Sequence, residues 1–210
     1  MKTTILSVLG IGVLLVLVLL IGGGNTYNGL VSRSQAVDSQ WAQVQSQYQR
    51  RADLIPNLVS TVSGAANFEK STLTEITAAR ASVGQLKIDA NQAPNDPNVL
   101  AQFQKAQDQL SSALSRLLVV VERYPELKAT TNFRDLQAQL EGTENRIATE
   151  RMRFNEAVQG YNVAVKRFPT VLFAGVLGFQ AKPYFQSAAG AETPPKVDFN
   201  FGQPAKAEKP

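Results

Sequence analysis

Apolar and polar positions follow different rules in successive parts of the chain. From Ile5 to Ile21 the sequence is almost wholly apolar (ILSVLGIGVLLVLVLLI), and no charge occurs between Lys2 and Arg33. With Thr3, Thr4 and Gly22 to Gly24 the run reaches the ~20 residues a membrane-spanning helix needs. A cleaved signal peptide would have an apolar core of about 7–15 residues followed by an A-x-A-like site. Here the run is longer and the nearest small-x-small triplet is Gly22-Gly23-Gly24, so the pattern predicts an uncleaved anchor over residues 1–24. Gly22-Gly23-Gly24 has no strand before it and no GKS or GKT after it, which excludes a phosphate loop. It reads as a flexible joint between the anchor and the rest of the chain.

Beyond the glycines the spacing becomes helical. Val37, Trp41, Val44, Tyr48, Ala52, Ile55, Val59 and Val62 step by three or four along one stripe. Pro56 within it predicts a kink, Gly64 a C-terminal cap, and Asn67 the cap of a second helix. That helix carries Phe68, Leu73, Ile76, Val83 and Leu86. Asp96-Pro97 opens a third, with an Asp cap and Pro in the first turn. It bears Leu100, Phe103, Leu110, Leu114, Leu117 and Val121 and ends near Tyr124-Pro125. In the fourth, Phe133, Leu140, Ile147, Phe154, Tyr161 and Phe168 recur every seven residues, widened by Leu136, Val158 and Val165. Asn132 is placed to cap its start and Pro169 to end it. Six apolar heptad positions in a row predict left-handed helix packing. The fold class is therefore all-α: an N-terminal transmembrane helix, an up-and-down antiparallel four-helix bundle over 25–169, and an irregular apolar segment over 170–202. A disordered tail is expected over 203–210.

Composition narrows the chemistry. The chain has no Cys and no His, which excludes disulfides, thiolate nucleophiles, zinc–thiolate sites, imidazole-based triads and a lipoprotein anchor. Charged residues are 18% of the chain and the net charge is +4, scattered rather than gathered into the basic patch that nucleic-acid binding needs. No D-x-D-x-D-G calcium loop occurs. Lys2, set against the apolar run, tips the orientation toward an inside N-terminus and an outside bundle.

Several runs carry a resemblance to a known family. Trp41-Ala42-Gln43-Val44, Gln49-Arg50-Arg51-Ala52-Asp53-Leu54-Ile55-Pro56-Asn57-Leu58-Val59 and Ala79-Arg80-Ala81 are three of them. Others are Glu144-Asn145-Arg146-Ile147, Phe154-Asn155, Tyr161-Asn162, Arg167-Phe168-Pro169 and Gly178-Phe179-Gln180-Ala181-Lys182-Pro183-Tyr184-Phe185. Together with the N-terminal run they resemble the LemA family of bacterial membrane proteins, over about residues 1 to 201. The resemblance implies a single-pass protein of the bacterial inner membrane with a helical bundle. It implies no catalytic activity, no agreed ligand and no residue with a catalytic role.

The expected function is accordingly an interaction or scaffold module, with no catalytic, cofactor-binding or metal residue. Its expected partners are the lipid bilayer and a protein of unidentified kind, with self-assembly through the helix seams left open. The competing reading is a carboxylate-based cell-envelope enzyme, which would need two acids converging in a pocket. Candidate partner or registry residues are Arg50, Arg51, Asp53, Glu144 and Arg151, with one of the paired arginines meeting Asp53 or a carboxylate on a neighbouring helix. Candidate membrane-interface residues are Phe173, Leu177, Phe179, Lys182, Tyr184 and Phe185. An even number of antiparallel helices returns Phe168-Pro169 to the bilayer, and the nine residues Val171–Phe179 are too few to span it. They would lie at the interface, with Lys182 toward the headgroups, or fold back over the base of the bundle.

Overall fold

A computed structural model describes residues 2–64, 68–86 and 88–187. For residues 2–9, 11 and 13–22 it describes the backbone alone. The described residues are helical or irregular and contain no strand. Four long helices dominate: α1 (Lys2–Ser63), α2 (Lys70–Gln85), α3 (Pro97–Val121) and α5 (Thr131–Lys166). Two short ones, α4 (Pro125–Ala129) and α6 (Val171–Ala174), connect and follow them.

The helix α1 is continuous for 62 residues, a rod of roughly 90 Å at 1.5 Å per residue. The expected joint at Gly22-Gly23-Gly24 is not there: the helix passes straight through. A glycine inside a helix costs only about 0.5–1 kcal/mol relative to Ala, too little to break one flanked by helical runs on both sides. Pro56 also stays inside α1. It has no N–H to offer the carbonyl of Ala52 four residues back, and Arg80 Nε of α2 donates to that carbonyl instead, at 3.3 Å. The apolar run behind the anchor expectation lies outside the described side chains. Among the described residues no helix is long and apolar enough to cross a membrane.

Asp96 caps α3, its carboxylate accepting from Asn98 N at 2.8 Å with Pro97 in the first turn. Asn67, expected to cap α2, lies outside the described residues, and α2 begins after Glu69. Asn132 does not cap α5. That place is taken by Thr130, whose Oγ1 accepts from Phe133 N at 3.3 Å, because α4 ends at Ala129 and turns the chain two residues earlier.

Neighbouring helices run in opposite directions. Residues 30–48 of α1 pack with 147–165 of α5, and 55–62 with 133–140. Across α2 and α3, Glu69 meets Arg123 and Glu75 meets Arg116. The interior divides into two apolar clusters. The first centres on Trp41, which is fully buried with Phe103, Phe154 and Phe185 at ring distances of 5.4, 5.7 and 6.0 Å. The second gathers Ile55, Leu58 and Val62 against Ile76, Leu110, Leu117, Phe133 and Leu140. Burying one such side chain contributes about 1.5–3 kcal/mol. Five heptad positions of α5 are buried; the sixth, Phe168, is 75% exposed. The residue before a proline disfavours helical backbone, so α5 stops at Lys166 and Phe168 falls outside the seam.

Candidate functional site

Two polar constructions interrupt this apolar interior. The first is a layer between the two clusters. Arg51 of α1 is 1% exposed. Its Nη1 donates to Ser111 Oγ on α3 and Glu144 Oε1 on α5, both at 2.7 Å. Its Nη2 donates to the carbonyl of Gln107 at 3.4 Å and to the Gln107 side-chain oxygen. The guanidinium also lies 5.1 Å from the centre of the Tyr48 ring. A buried guanidinium must be paired to be tolerable, and this pairing requires three helices at one register. Burial pushes the Tyr48 phenol above its usual value, with Arg151 and Arg51 pulling the other way. Arg50 points to solvent, and exposed Asp53 accepts from Gln49 Nε2 at 2.8 Å.

The second construction holds the chain after Phe179. Residues 180–187 run as an irregular strap along α5, held by three side-chain amides. Each amide donates to the carbonyl and accepts from the N–H of a single strap residue. Asn162 serves Lys182 at 2.9 and 2.8 Å. Asn155 serves Phe185 at 3.1 and 2.9 Å. Gln104 serves Gln186 at 2.8 and 3.1 Å. Arg151 Nη2 also donates to Gln186 O at 3.0 Å and its guanidinium lies 4.7 Å from the Phe185 ring centre. These amides replace a second strand: they satisfy backbone groups that would otherwise be buried unpaired.

The strap corrects part of the membrane-interface expectation. Lys182 does not reach toward headgroups. It is 6% exposed, and its Nζ donates to Asp38 Oδ1 at 2.9 Å, an oxygen that also accepts from Ala93 N. Phe185 is buried in the Trp41 cluster, because that aromatic pocket and the Asn155 amide hold it there. Phe179 packs edge-on to Tyr27 at 5.6 Å and is half-buried. Phe173 is half-buried, while Leu177 and Tyr184 are exposed.

The sequence pattern did not single out Asp38, Gln104, Asn155 or Asn162 as site residues. A signal was present: Asn155 and Asn162 each follow a seam aromatic, seven residues apart. Polar residues beside a seam at heptad spacing point at something polar lying along it, and here that is the strap.

Among the described residues no three acidic side chains gather around a common point. The carboxylates that face the interior are tied to cations: Glu144 to Arg51 and Asp38 to Lys182. The sequence profile of the LemA family matches residues 40–199, which takes in the polar layer and the strap. The chain belongs to the LemA family. It is also similar to magnetosome protein MamQ 2 and magnetosome protein MamQ 1 of Paramagnetospirillum magneticum, each 26% identical over 80% of this chain and 67% of the relative. Magnetosome protein MamQ of Magnetospirillum gryphiswaldense is 25% identical with the same coverage. For this LemA-family chain the arrangement can lock helix register and bind an extended backbone segment.

Proposed function

We propose that this protein is a non-catalytic, single-pass protein of the bacterial inner membrane. Its four long helices form an up-and-down bundle that presents an interaction or scaffold surface. The observation that carries the reading is α1: one unbroken helix holds the apolar run at its start and Trp41, Arg51 and Ile55 of the core further on. Anchor and bundle are then a single rod. The carboxylates that face the interior support a structural module rather than an enzyme, since Glu144 and Asp38 each serve as the partner of a buried cation. Neither the family description nor the magnetosome relatives' names specify a reaction. Lys2 directly against the apolar run, with Arg33 further out on the other flank, supports placing the bundle on the extracytoplasmic side.

Outward-facing Arg50, next to the buried Arg51, is a docking cation for a protein partner. Crosslinking in intact membranes, with each adduct identified by mass, tests this. A discrete hetero-adduct that disappears in Arg50→Glu supports the module. Adducts at multiples of the chain's own mass would replace it with a self-assembling anchor.

A further inference from the structure

The turn after α5 is built unlike the rest of the surface. Phe168, Val171, Leu172, Val176 and Leu177 are 40–90% exposed within ten consecutive residues. Other exposed large apolar residues, such as Val119 and Met152, stand apart from one another in sequence. A contiguous exposed apolar patch marks a contact surface.

The turn is held in place, not loose. Ala174 is buried and Phe179 rests on Tyr27. Its backbone donors find acceptors within the turn: Val171 N to Arg167 O at 2.9 Å, Ala174 N to Thr170 O at 2.9 Å, Leu177 N to Phe173 O at 2.9 Å and Phe179 N to Ala174 O at 2.8 Å. A segment with most of its backbone donors satisfied internally can enter the interface at lower cost than an open loop.

Position identifies the occupant. Tyr27 lies six residues beyond Ile21, the end of the apolar run, or roughly 9 Å along a helix. The turn therefore sits at the end of the bundle from which that run departs. Basic groups rim it. Lys166 and Arg167 directly precede Phe168 and are exposed. Arg33 lies across Gly160 of α5, its Nη1 3.7 Å from where a Cβ would stand, in a groove that Arg167 and Glu156 also line. Three cations against one acid, around an apolar tip, match a bilayer interface with anionic headgroups.

We infer that residues 168–177 form a second, peripheral membrane contact: Phe168, Val171, Leu172, Val176 and Leu177 enter the interface while Arg33, Lys166 and Arg167 meet lipid phosphates. This rests on the reading of α1 as a membrane anchor. It differs from the expectation drawn from sequence, because Lys182 and Phe185 belong to the strap and the inserting residues are those ahead of it.

The absence of cysteine gives a clean test on the full chain. Leu172→Cys, Val176→Cys, Val119→Cys and Leu15→Cys are each labelled with an environment-sensitive fluorophore, in vesicles of phosphatidylcholine and phosphatidylglycerol. Quenching by nitroxide lipids, a shallow one for 172 and 176 and a deep one for 15, is compared with quenching by iodide. The contact predicts that labels at 172 and 176 are quenched by the nitroxide lipid and shielded several-fold from iodide relative to 119. If 172 and 176 respond to iodide as 119 does while 15 is lipid-quenched, the anchor stands and the second contact is refuted. If 172 and 176 are shielded from both quenchers and crosslink between chains, the face belongs to a second copy and the inference fails. A label at 15 that escapes lipid quenching overturns the anchor reading together with the contact.

Discussion

Removing the half-exposed member of the Arg51–Glu144 pair should destabilise the helical domain more than removing its buried member. Glu144 is 40% exposed and Arg51 1%. In Glu144→Ala the guanidinium stays buried and loses its counter-ion, keeping Ser111, Gln107 and the face of the Tyr48 ring. Orphaning a buried charge costs about 3–5 kcal/mol. Water can reach the space Glu144 leaves, so the lower end of that range, about 3 kcal/mol, is expected. In Arg51→Met the charge itself is gone and most of the side-chain volume stays. Glu144 becomes hydrated, and the chief loss is the donor to Gln107, in the lower half of the about 1–3 kcal/mol range for an unsatisfied buried acceptor because no charge is left buried. The double variant should then cost little more than Arg51→Met alone. The assay is equilibrium urea unfolding followed by circular dichroism, on a version beginning at Asn25. Equal losses for the two single variants, or simple additivity in the double, would refute the argument that the carboxylate neutralises a buried cation.

Ile147→Ala should destabilise the same domain by about 2–5 kcal/mol, the range for truncating a buried Ile or Leu; a loss below about 0.5 kcal/mol would place the seam of α5 on the surface. Asn155→Ala and Asn162→Ala should speed hydrogen exchange at the amides of Phe185 and Lys182 respectively, and unchanged protection would mean that the amides do not hold the strap. Tyr48 keeps its proton in the folded state above the pH at which the unfolded phenol, with its value near 10, loses it. Its stabilising contribution is therefore complete below about pH 10 and lost as the pH rises through the higher folded value. Tyr48→Phe should flatten the decline of the melting temperature in that window, and a parallel decline in both proteins would count against a buried phenol.

The legible parts of this chain are those where one period dominates. The seven-residue spacing of Phe133 to Tyr161 foretold a buried seam, because burial of one face requires that repeat. Asp96-Pro97 marked the start of α3, because capping is local chemistry. That one of Arg50 and Arg51 would meet Asp53 or a carboxylate on a neighbouring helix was legible, but not which arginine, which carboxylate, or the depth of burial that makes Gln107 and Ser111 necessary. The strap was illegible for a physical reason. Its backbone is recognised by Asn155, Asn162 and Gln104, contacts spanning 20 to 82 residues, and backbone recognition leaves no apolar period. The aromatics of 179–185 looked available for lipid because the Trp41 pocket that receives Phe185 exists only once α1, α3 and α5 have assembled.

On the proposed reading α1 serves at once as membrane anchor and bundle core. This dual role is tested most directly by alkaline extraction of membranes carrying either the full chain or the version beginning at Asn25. The full chain should stay with the bilayer, while the shorter version is released as a helical protein that melts cooperatively. A full chain released by alkali, or a shorter version without cooperative melting, would contradict it.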